Sequence, residues 1–356
     1  MTTYSTSKDT KSTTLKIDYN TKNKIQEKES LQFCYDSELE ELKKIIQQKY
    51  RNENFEILDI IGQGSKSSVY RIFDKKRKKE LAIKYIKKMK KENIANEFKI
   101  SYKLKHPNII SFYSFTYQEN TATILMENCQ FSNLLDFQYN FLKKRPFSES
   151  ILCYISHQIL QALLYCHKCK VAHMDIKPQN IVINHYLEPK LIDFSISIDY
   201  SKENLDDYII LPIYGTKPFM PLEILKSQNI KYKDLNKVDL YSLGATLYVL
   251  AFHKFPYDMK HEHNISEIIQ NMSKKLVIKN NNNLSKAFID FISKLLETDI
   301  NKRINIYEAI NHYWIRGAPI LINERENICN EGEFFISLFS DKLKYFNEYV
   351  TKFEAL

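Results

Sequence analysis

The chain has 356 residues, 44% of them hydrophobic, with 24 tyrosines and 21 phenylalanines, and its basic residues outnumber its acidic ones by nine (52 − 43). These values exclude a chain too short or too polar to bury a core, and they allow one large domain or two lobes. No apolar run approaches the ~18–20 residues of a membrane span, and the polar start from Met1 to Asp18 is unlike a signal peptide. The lysines are scattered along the chain, which reads as background composition rather than as a patch for nucleic acid, anionic lipid or acidic protein. The six cysteines have no secretory framework around them, so a reduced protein of the cytoplasm is expected, with the nucleus as the alternative. Cys166-His-Lys-Cys169 has the spacing of half a zinc site but lacks a second pair, and reads as ordinary residues at a helix end. Only 6 glycines occur, and Gly62, Gly64, Gly215 and Gly244 all fall in the motifs below.

In chain order, residues 1–30 are rich in Ser, Thr and Lys with almost no aliphatics, and disorder is expected there. Ser37-Glu-Leu-Glu40 reads as a capping box. Behind it, Leu39, Leu42, Ile45 and Ile46 predict an amphipathic helix to about Tyr50, within a helical extension over 31–54. Such a helix packs on the following domain or docks a regulator. Glu56-Ile-Leu-Asp-Ile-Ile61 and Ser68-Val-Tyr-Arg-Ile-Phe73 are β-rich runs flanking Gly62-Gln-Gly64-Ser-Lys-Ser67. This is strand, glycine turn, strand, a shape in which backbone N–H groups can approach phosphate oxygens. A dinucleotide turn is the rival, but it runs into a helix. Asp74 to Glu80 is a charged, solvated hairpin turn.

Leu81-Ala-Ile-Lys84 is an apolar strand whose lysine points inward, where its charge requires a carboxylate and phosphate. Glu97 supplies the carboxylate, on a helical stretch marked by Ile94, Phe98 and Tyr102 that stops at His106-Pro-Asn-Ile-Ile110. Thr123-Ile-Leu-Met-Glu-Asn-Cys129 is an apolar strand that turns polar. Ser148 caps a long apolar helix (Ile151, Tyr154, Ile155, Ile159, Ala162, Leu163) leading to His173-Met-Asp-Ile-Lys-Pro-Gln-Asn180. Those eight residues carry a carboxylate, an ammonium and a carboxamide on one short loop. Phosphoryl transfer uses such a set: a proton acceptor for the attacking hydroxyl, a cation for developing charge, and an amide oxygen for Mg²⁺. Short strands Ile181-Val-Ile183 and Lys190-Leu-Ile192 follow, the second ending in Asp193-Phe-Ser195. Further on stand Gly215-Thr-Lys-Pro-Phe-Met-Pro-Leu-Glu223, Val238-Asp-Leu-Tyr-Ser-Leu-Gly244, Asn301-Lys-Arg303 and His312-Tyr-Trp314. A tail over 316–356 has an aromatic amphipathic stretch (Phe334, Phe335, Leu338, Phe339, Tyr345, Phe346) and is expected to be helical, covering a groove or recruiting a partner.

In this order and at these spacings the motifs resemble those of eukaryotic protein kinases of the serine/threonine branch. The departures are Met174 for arginine in H-R-D-x-x-x-x-N, Ser67 for the third glycine of G-x-G-x-x-G-x-V, Ser195 for glycine in D-F-G, Pro221-Leu222 where A-P-E has its proline, and Tyr241 for tryptophan in D-x-W-S-x-G. The resemblance spans about Phe55 to Ile315. It implies an α+β, bilobal fold, with an antiparallel β-sheet N-lobe (55–128), a mainly helical C-lobe (129–315) and ATP in the cleft. By the same resemblance Asp175 is the base, with Lys177 and Thr216 hydrogen-bonded near it, and Lys84 pairs with Glu97. Asn180 and Asp193 hold Mg²⁺, and Arg303 is the buried partner of Glu223. The nucleotide is implied to lie against Ile61, Gly62, Gln63, Gly64, Val69, Ala82, Lys84, Met126 as gatekeeper, the Glu127–Cys129 backbone, Asn133, Asn180 and Asp193.

The resemblance thus implies a monomer that transfers the γ-phosphate of Mg-ATP to serine or threonine of protein substrates. A pseudokinase scaffold that binds nucleotide or partners without efficient catalysis is the alternative; a nucleic-acid binder rests on charge alone. Met174 offers no charge to a phosphorylated residue between Ser197 and Tyr214, so such phosphorylation is not expected to switch the protein on. Asn133, Gln179 and Val249 stand where arginine-directed relatives have carboxylates, so basic residues upstream of the acceptor are not expected to be required.

Overall fold

The computed structural model describes residues 40–46, 55–63, 67–87, 91–118, 121–129, 131–140, 142, 145–184, 188–259, 264–280 and 284–316. The segment expected to be disordered, most of the 31–54 extension, Gly64 and the tail after Arg316 lie outside these residues. The chain divides into units of residues 1–55 and 56–356. In the first, residues 40–46 form a helix (α1) with Leu42, Ile45 and Ile46 buried, the face that the apolar spacing selects.

The second unit begins with a five-stranded sheet: β1 (Phe55–Gln63), β2 (Ser67–Asp74), β3 (Lys79–Lys87), β4 (Phe112–Gln118) and β5 (Thr121–Glu127), in the order β1-β2-β3-β5-β4. The pairs β2–β3, β3–β5 and β4–β5 are antiparallel. Alternation along β2 buries Tyr70 and Ile72 and leaves Val69 and Arg71 half-covered on the other face. The charged turn after β2 is structural: Asp74 Oδ1 accepts from the backbone of Lys76 and Arg77, and its Oδ2 takes the Arg77 guanidinium at 2.8 Å. One helix, α2 (Lys91–Lys103), crosses the sheet, and its Phe98 packs on Ile86, Ile110, Phe112, Ala122 and Ile124.

The remainder is mainly helical: α3 (Leu134–Asn140), α4 (Glu149–Lys168), α5 (Leu222–Leu225), α6 (Leu235–Phe252), α7 (Ile265–Met272), α8 (Lys286–Leu295), α9 (Ile306–Ile310) and α10 (Tyr313–Arg316). Short strands carry the loops between them: β6 (Phe131–Asn133), β7 (Val171–Ala172), β8 (Ile181–Ile183), β9 (Pro189–Leu191), β10 (Ile198–Asp199), β11 (Tyr208–Ile210) and β12 (Asn229–Lys231). They pair as β6-β8-β9, β7-β10 and β11-β12. This is the bilobal α+β architecture that the motifs imply. Ser148 caps α4 as expected, its hydroxyl accepting from Ile151 N.

Helix α6 is apolar all round and buried nearly all round, which makes it the mast of the helical part. A Cβ on Gly244 would stand 2.7 Å from Leu295 Cβ, so glycine there lets α6 and α8 touch. Glu223 of α5 and Arg303 meet as expected, with Nη1–Oε1 at 2.6 Å and Nη2–Oε2 at 3.0 Å, both residues buried. Removing one partner of such a pair strands a charge in the core and costs about 3–5 kcal/mol. Cys166 is buried at the end of α4, and no group of acids, histidines and cysteines able to hold a metal occurs among the described residues. Among those residues, too, no helix is long and apolar enough to cross a membrane.

Candidate active site

The loop His173–Asn180 leaves β7, closes in a single 3₁₀ turn at Pro178–Asn180 and enters β8. Its shape is set by a residue far along the chain. Asp239 of α6, with no exposed surface, accepts from His173 N (2.9 Å), Met174 N (2.8 Å) and His167 Nε2 (2.8 Å). Burial pushes the Asp239 carboxyl up, but the His167 bond and the neighbouring imidazoles and amide outweigh it and hold the group below the usual carboxylate range. Met174 takes a left-handed backbone (φ 71°), an uncommon conformation for a residue with a Cβ, and the Asp239 bond to its N–H fixes it.

That shape delivers the polar set. Asp175 Oδ2 receives Lys177 Nζ at 2.7 Å and Asn180 Nδ2 at 2.9 Å. Asn180 Nδ2 also reaches Asp175 O at 2.8 Å, which leaves its amide oxygen as the acceptor for a cation. Lys177 Nζ continues to Thr216 Oγ1 at 2.7 Å. The other carboxylate oxygen, Oδ1, lies beside Gly215. A Cβ at Gly215 would come 3.2 Å from Asp175 Oδ1, and its φ of +108° suits glycine alone, so the residue keeps open the approach to the carboxylate.

A second cluster joins the two lobes. Lys84 Nζ of β3 meets Glu97 Oε1 of α2 at 2.8 Å and Asp193 Oδ1 at 3.2 Å. Burial disfavours the Lys84 charge, but the two carboxylates outweigh it and keep the ammonium protonated well above the usual lysine range. Asp193 is likewise pushed up by burial and held below the usual range by Lys84 and the Ser195 hydroxyl. Asp193 adopts a left-handed backbone (φ 65°), whereas Ser195 does not, so the serine that replaces glycine carries no such strain here. The clusters share backbone: Ile192 N donates to Asn180 O at 3.0 Å, and His173 Nε2 and Ile192 O lie 3.0 Å apart.

Around them, Ala82 is buried beside Met126, its cross-strand partner, and Val69 pairs with Lys84. A Cβ on Gly62 would lie 3.6 Å from Val69 Cβ, ordinary contact that would fill the space above that side chain. Ile61 and Gln63 are exposed at the rim, and Gly64 falls outside the described residues. The Glu127 N–H bonds to Ser111 O at 2.9 Å, and its carboxylate pairs with Lys190 at 2.9 Å, fixing the end of β5 just before Asn128 and Cys129. Asn133 is occupied otherwise: its Oδ1 accepts from Leu135 N and Asp136 N as a cap for α3, and its Nδ2 donates to Asp136 Oδ2 at 2.6 Å.

Two positioning contacts were not readable from sequence. One is the Asp239 anchor. The other is Lys103, in the last turn of α2, which donates to Cys169 O (3.0 Å) and to Asp199 Oδ2 of β10 (3.3 Å). The available signals were the motif Val238–Gly244 with its acid in an apolar helix and a lysine at a helix C-terminus, and neither names the partner.

With Glu97 on Lys84, Asp193 on the same ammonium and Asp175 oriented, the cleft has the donors and acceptors of a phosphoryl-transfer site. A family model of the protein kinase domain matches residues 55–315. Among curated proteins, the chain is similar to the serine/threonine-protein kinase cds1 of Schizosaccharomyces pombe (29% identical, covering 75% of this chain and 59% of that protein). It is similar also to Aurora kinase B of Mus musculus (29%, covering 76% and 75%) and to the serine/threonine-protein kinase pakG of Dictyostelium discoideum (32%, covering 80% and 23%). The chain therefore spans between about a quarter and three quarters of the length of these relatives.

Proposed function

The chain belongs to the protein kinase family, and from that premise we propose that it transfers the γ-phosphoryl group of ATP to serine and threonine hydroxyls of protein substrates. The observation that carries the reading is the state of Asp175: Lys177 and Asn180 both donate to Oδ2, and Oδ1 faces the opening that Gly215 keeps clear. The donor set also fits a nucleotide with a divalent cation. The Lys84 ammonium, mostly covered and held by two carboxylates, would meet phosphate, and Asp193 with the Asn180 amide oxygen would hold Mg²⁺, a cation that prefers oxygen ligands. Bound Mg-ATP supplies the phosphoryl group and the charge that neutralises it.

In this reading Asp175 Oδ1 accepts the proton of the incoming hydroxyl while its oxygen bonds to phosphorus and the bond to the bridging oxygen breaks. Lys177 offsets charge on the transferred group and, through Thr216, fixes the segment that receives the substrate. Lys84, held by Glu97, orients the phosphates. Met126, Ala82, Val69 and the Glu127–Cys129 backbone receive the adenine.

Purified protein with Mg-ATP and a generic serine/threonine substrate tests the proposal. Wild type should turn over at roughly 1–100 s⁻¹, and Asp175→Asn should lose orders of magnitude in kcat while keeping nucleotide affinity. Equal turnover by the two proteins sinks the assignment of the base. Wild type that binds ATP and never transfers phosphate makes the chain a scaffold instead.

A further inference from the structure

Arginine in β2 of the sheet is not part of the machinery described so far. Directly opposed residues of antiparallel strands share a face, so Arg71, paired with Ala82, lies on the face that carries Val69 and Lys84. It stands two residues beyond Val69 and, across Ala82, level with Met126 of β5, next to the segment Glu127–Cys129 that forms the hinge between the lobes. Its guanidinium grips Asp59 of β1 with two bonds, Nε to Oδ1 at 2.7 Å and Nη2 to Oδ2 at 3.1 Å. Its Nη1 reaches Glu80 of β3 at 3.4 Å. Glu80 Oε2 in turn accepts from Asn128 Nδ2 at 3.1 Å, and Asn128 is buried between Glu127 and Cys129.

A polar chain thus runs Asp59–Arg71–Glu80–Asn128. One end is three residues before Gly62, where the strand enters the turn implied to cover phosphates. The other end is the segment implied to read adenine. Only a planar fork can bridge two carboxylates on different strands in this way; a lysine has a single point charge to offer.

We propose that Arg71 is a positioning residue for the nucleotide, which through Asp59 and Glu80 holds the end of β1 at Gly62 and the hinge as one unit, so that a ligand engaging both ends binds more tightly than its parts predict. The proposal rests on the reading of the cleft as an ATP site. The physical basis is effective concentration: a ligand seated at one end finds the other end already in place.

The test is calorimetric binding of ATP, adenosine and tripolyphosphate, with Mg²⁺, to wild type and to Arg71→Ala, alongside steady-state kinetics. Arg71→Ala should weaken ATP by roughly two- to five-fold, the scale of a half-exposed charge pair, and raise KM for ATP with little change in kcat or peptide KM. Adenosine and tripolyphosphate, which each engage one end, should bind as to wild type. Asp59→Asn should reproduce the loss and add nothing in the Arg71→Ala background, and Arg71→Lys should restore only part of it. Equal weakening of ATP and adenosine means a damaged hinge and overturns the proposal, as does unchanged ATP affinity in a folded variant. Wild type that binds ATP but transfers no phosphate defeats the catalytic reading alone. Wild type that binds no ATP defeats both.

Discussion

The catalytic loop hangs on Asp239, a carboxylate with no exposed surface that takes two backbone N–H groups and an imidazole. The strands that carry the glycine turn are joined by Arg71 to Asp59, and those two side chains keep 35% and 50% of their surface in water. Both devices fix a loop with a charged side chain, but their strengths differ. Bonds to a fully desolvated acid persist because the alternative is an unpaired polar group in the core, whereas a half-exposed pair competes with water and is screened by salt. The consequence is a loop His173–Asn180 held by contacts that water cannot reach, and a β1–β2 pair held by one that water can.

Removing the deeper device should have the largest effect. Asp239→Ala strands two backbone donors and a histidine in the core, at a cost of about 3–5 kcal/mol, and releases Met174 from its left-handed backbone. Thermal unfolding should shift down steeply and kcat should collapse. Asp239→Asn, which can still accept, should keep more of both. If Asp239→Ala unfolds normally and remains active, the loop is held by something else. The Asp239 carboxyl lies below the ordinary range, so its contribution is complete at neutral pH and is lost as pH falls below the unfolded value near 3.8.

A middle-sized effect belongs to Lys103, which carries the geometry of the helical part across to α2. The pair with Asp199 is 37% and 20% exposed, and a bond to Cys169 O adds to it. Lys103→Ala should therefore lower kcat by roughly two- to five-fold, by loosening the helix that presents Glu97. The exchange Lys103→Asp with Asp199→Lys should recover part of the loss; kcat unchanged in Lys103→Ala would place α2 under the control of its packing alone.

The smallest effect expected is that of phosphatase. The segment after Asp193 is ordered by its own contacts: β10 pairs with β7, β11 pairs with β12, Ser197 Oγ donates to His173 O, and Asp206 meets Lys233. Met174, at the position of arginine in the motif the loop resembles, packs its apolar side chain against the helical core. Dephosphorylated enzyme should keep activity within a few-fold of the untreated sample, and complete loss would show that these contacts are insufficient to order the segment.

Much of this was legible in the sequence because its signals are local. Asp175, Lys177 and Asn180 lie within one eight-residue loop, and their chemistry follows from residue type and spacing. Strand alternation, the Ser148 cap, the glycine positions and the inward-pointing Lys84 are likewise short-range patterns. The Asn133 cap of α3 is a local pattern too, since its partners Leu135 and Asp136 lie two and three residues on.

Pairings between distant charges were decided by the tertiary structure. Asp239 lies 66 residues from His173, Asp199 96 from Lys103, and Asp193 109 from Lys84. Asp199 and Asp193 are two among 43 acids in the chain, and sequence alone offers each of them 52 lysines and arginines as partners, while Asp239 could have met any backbone N–H. Which pair forms depends on where helices and strands pack, since a Coulomb attraction is weak until water is excluded between the groups. Residue chemistry therefore determined what the cleft can do. The packing of α2, α6 and the sheet determined which side chains hold it in the geometry to do so.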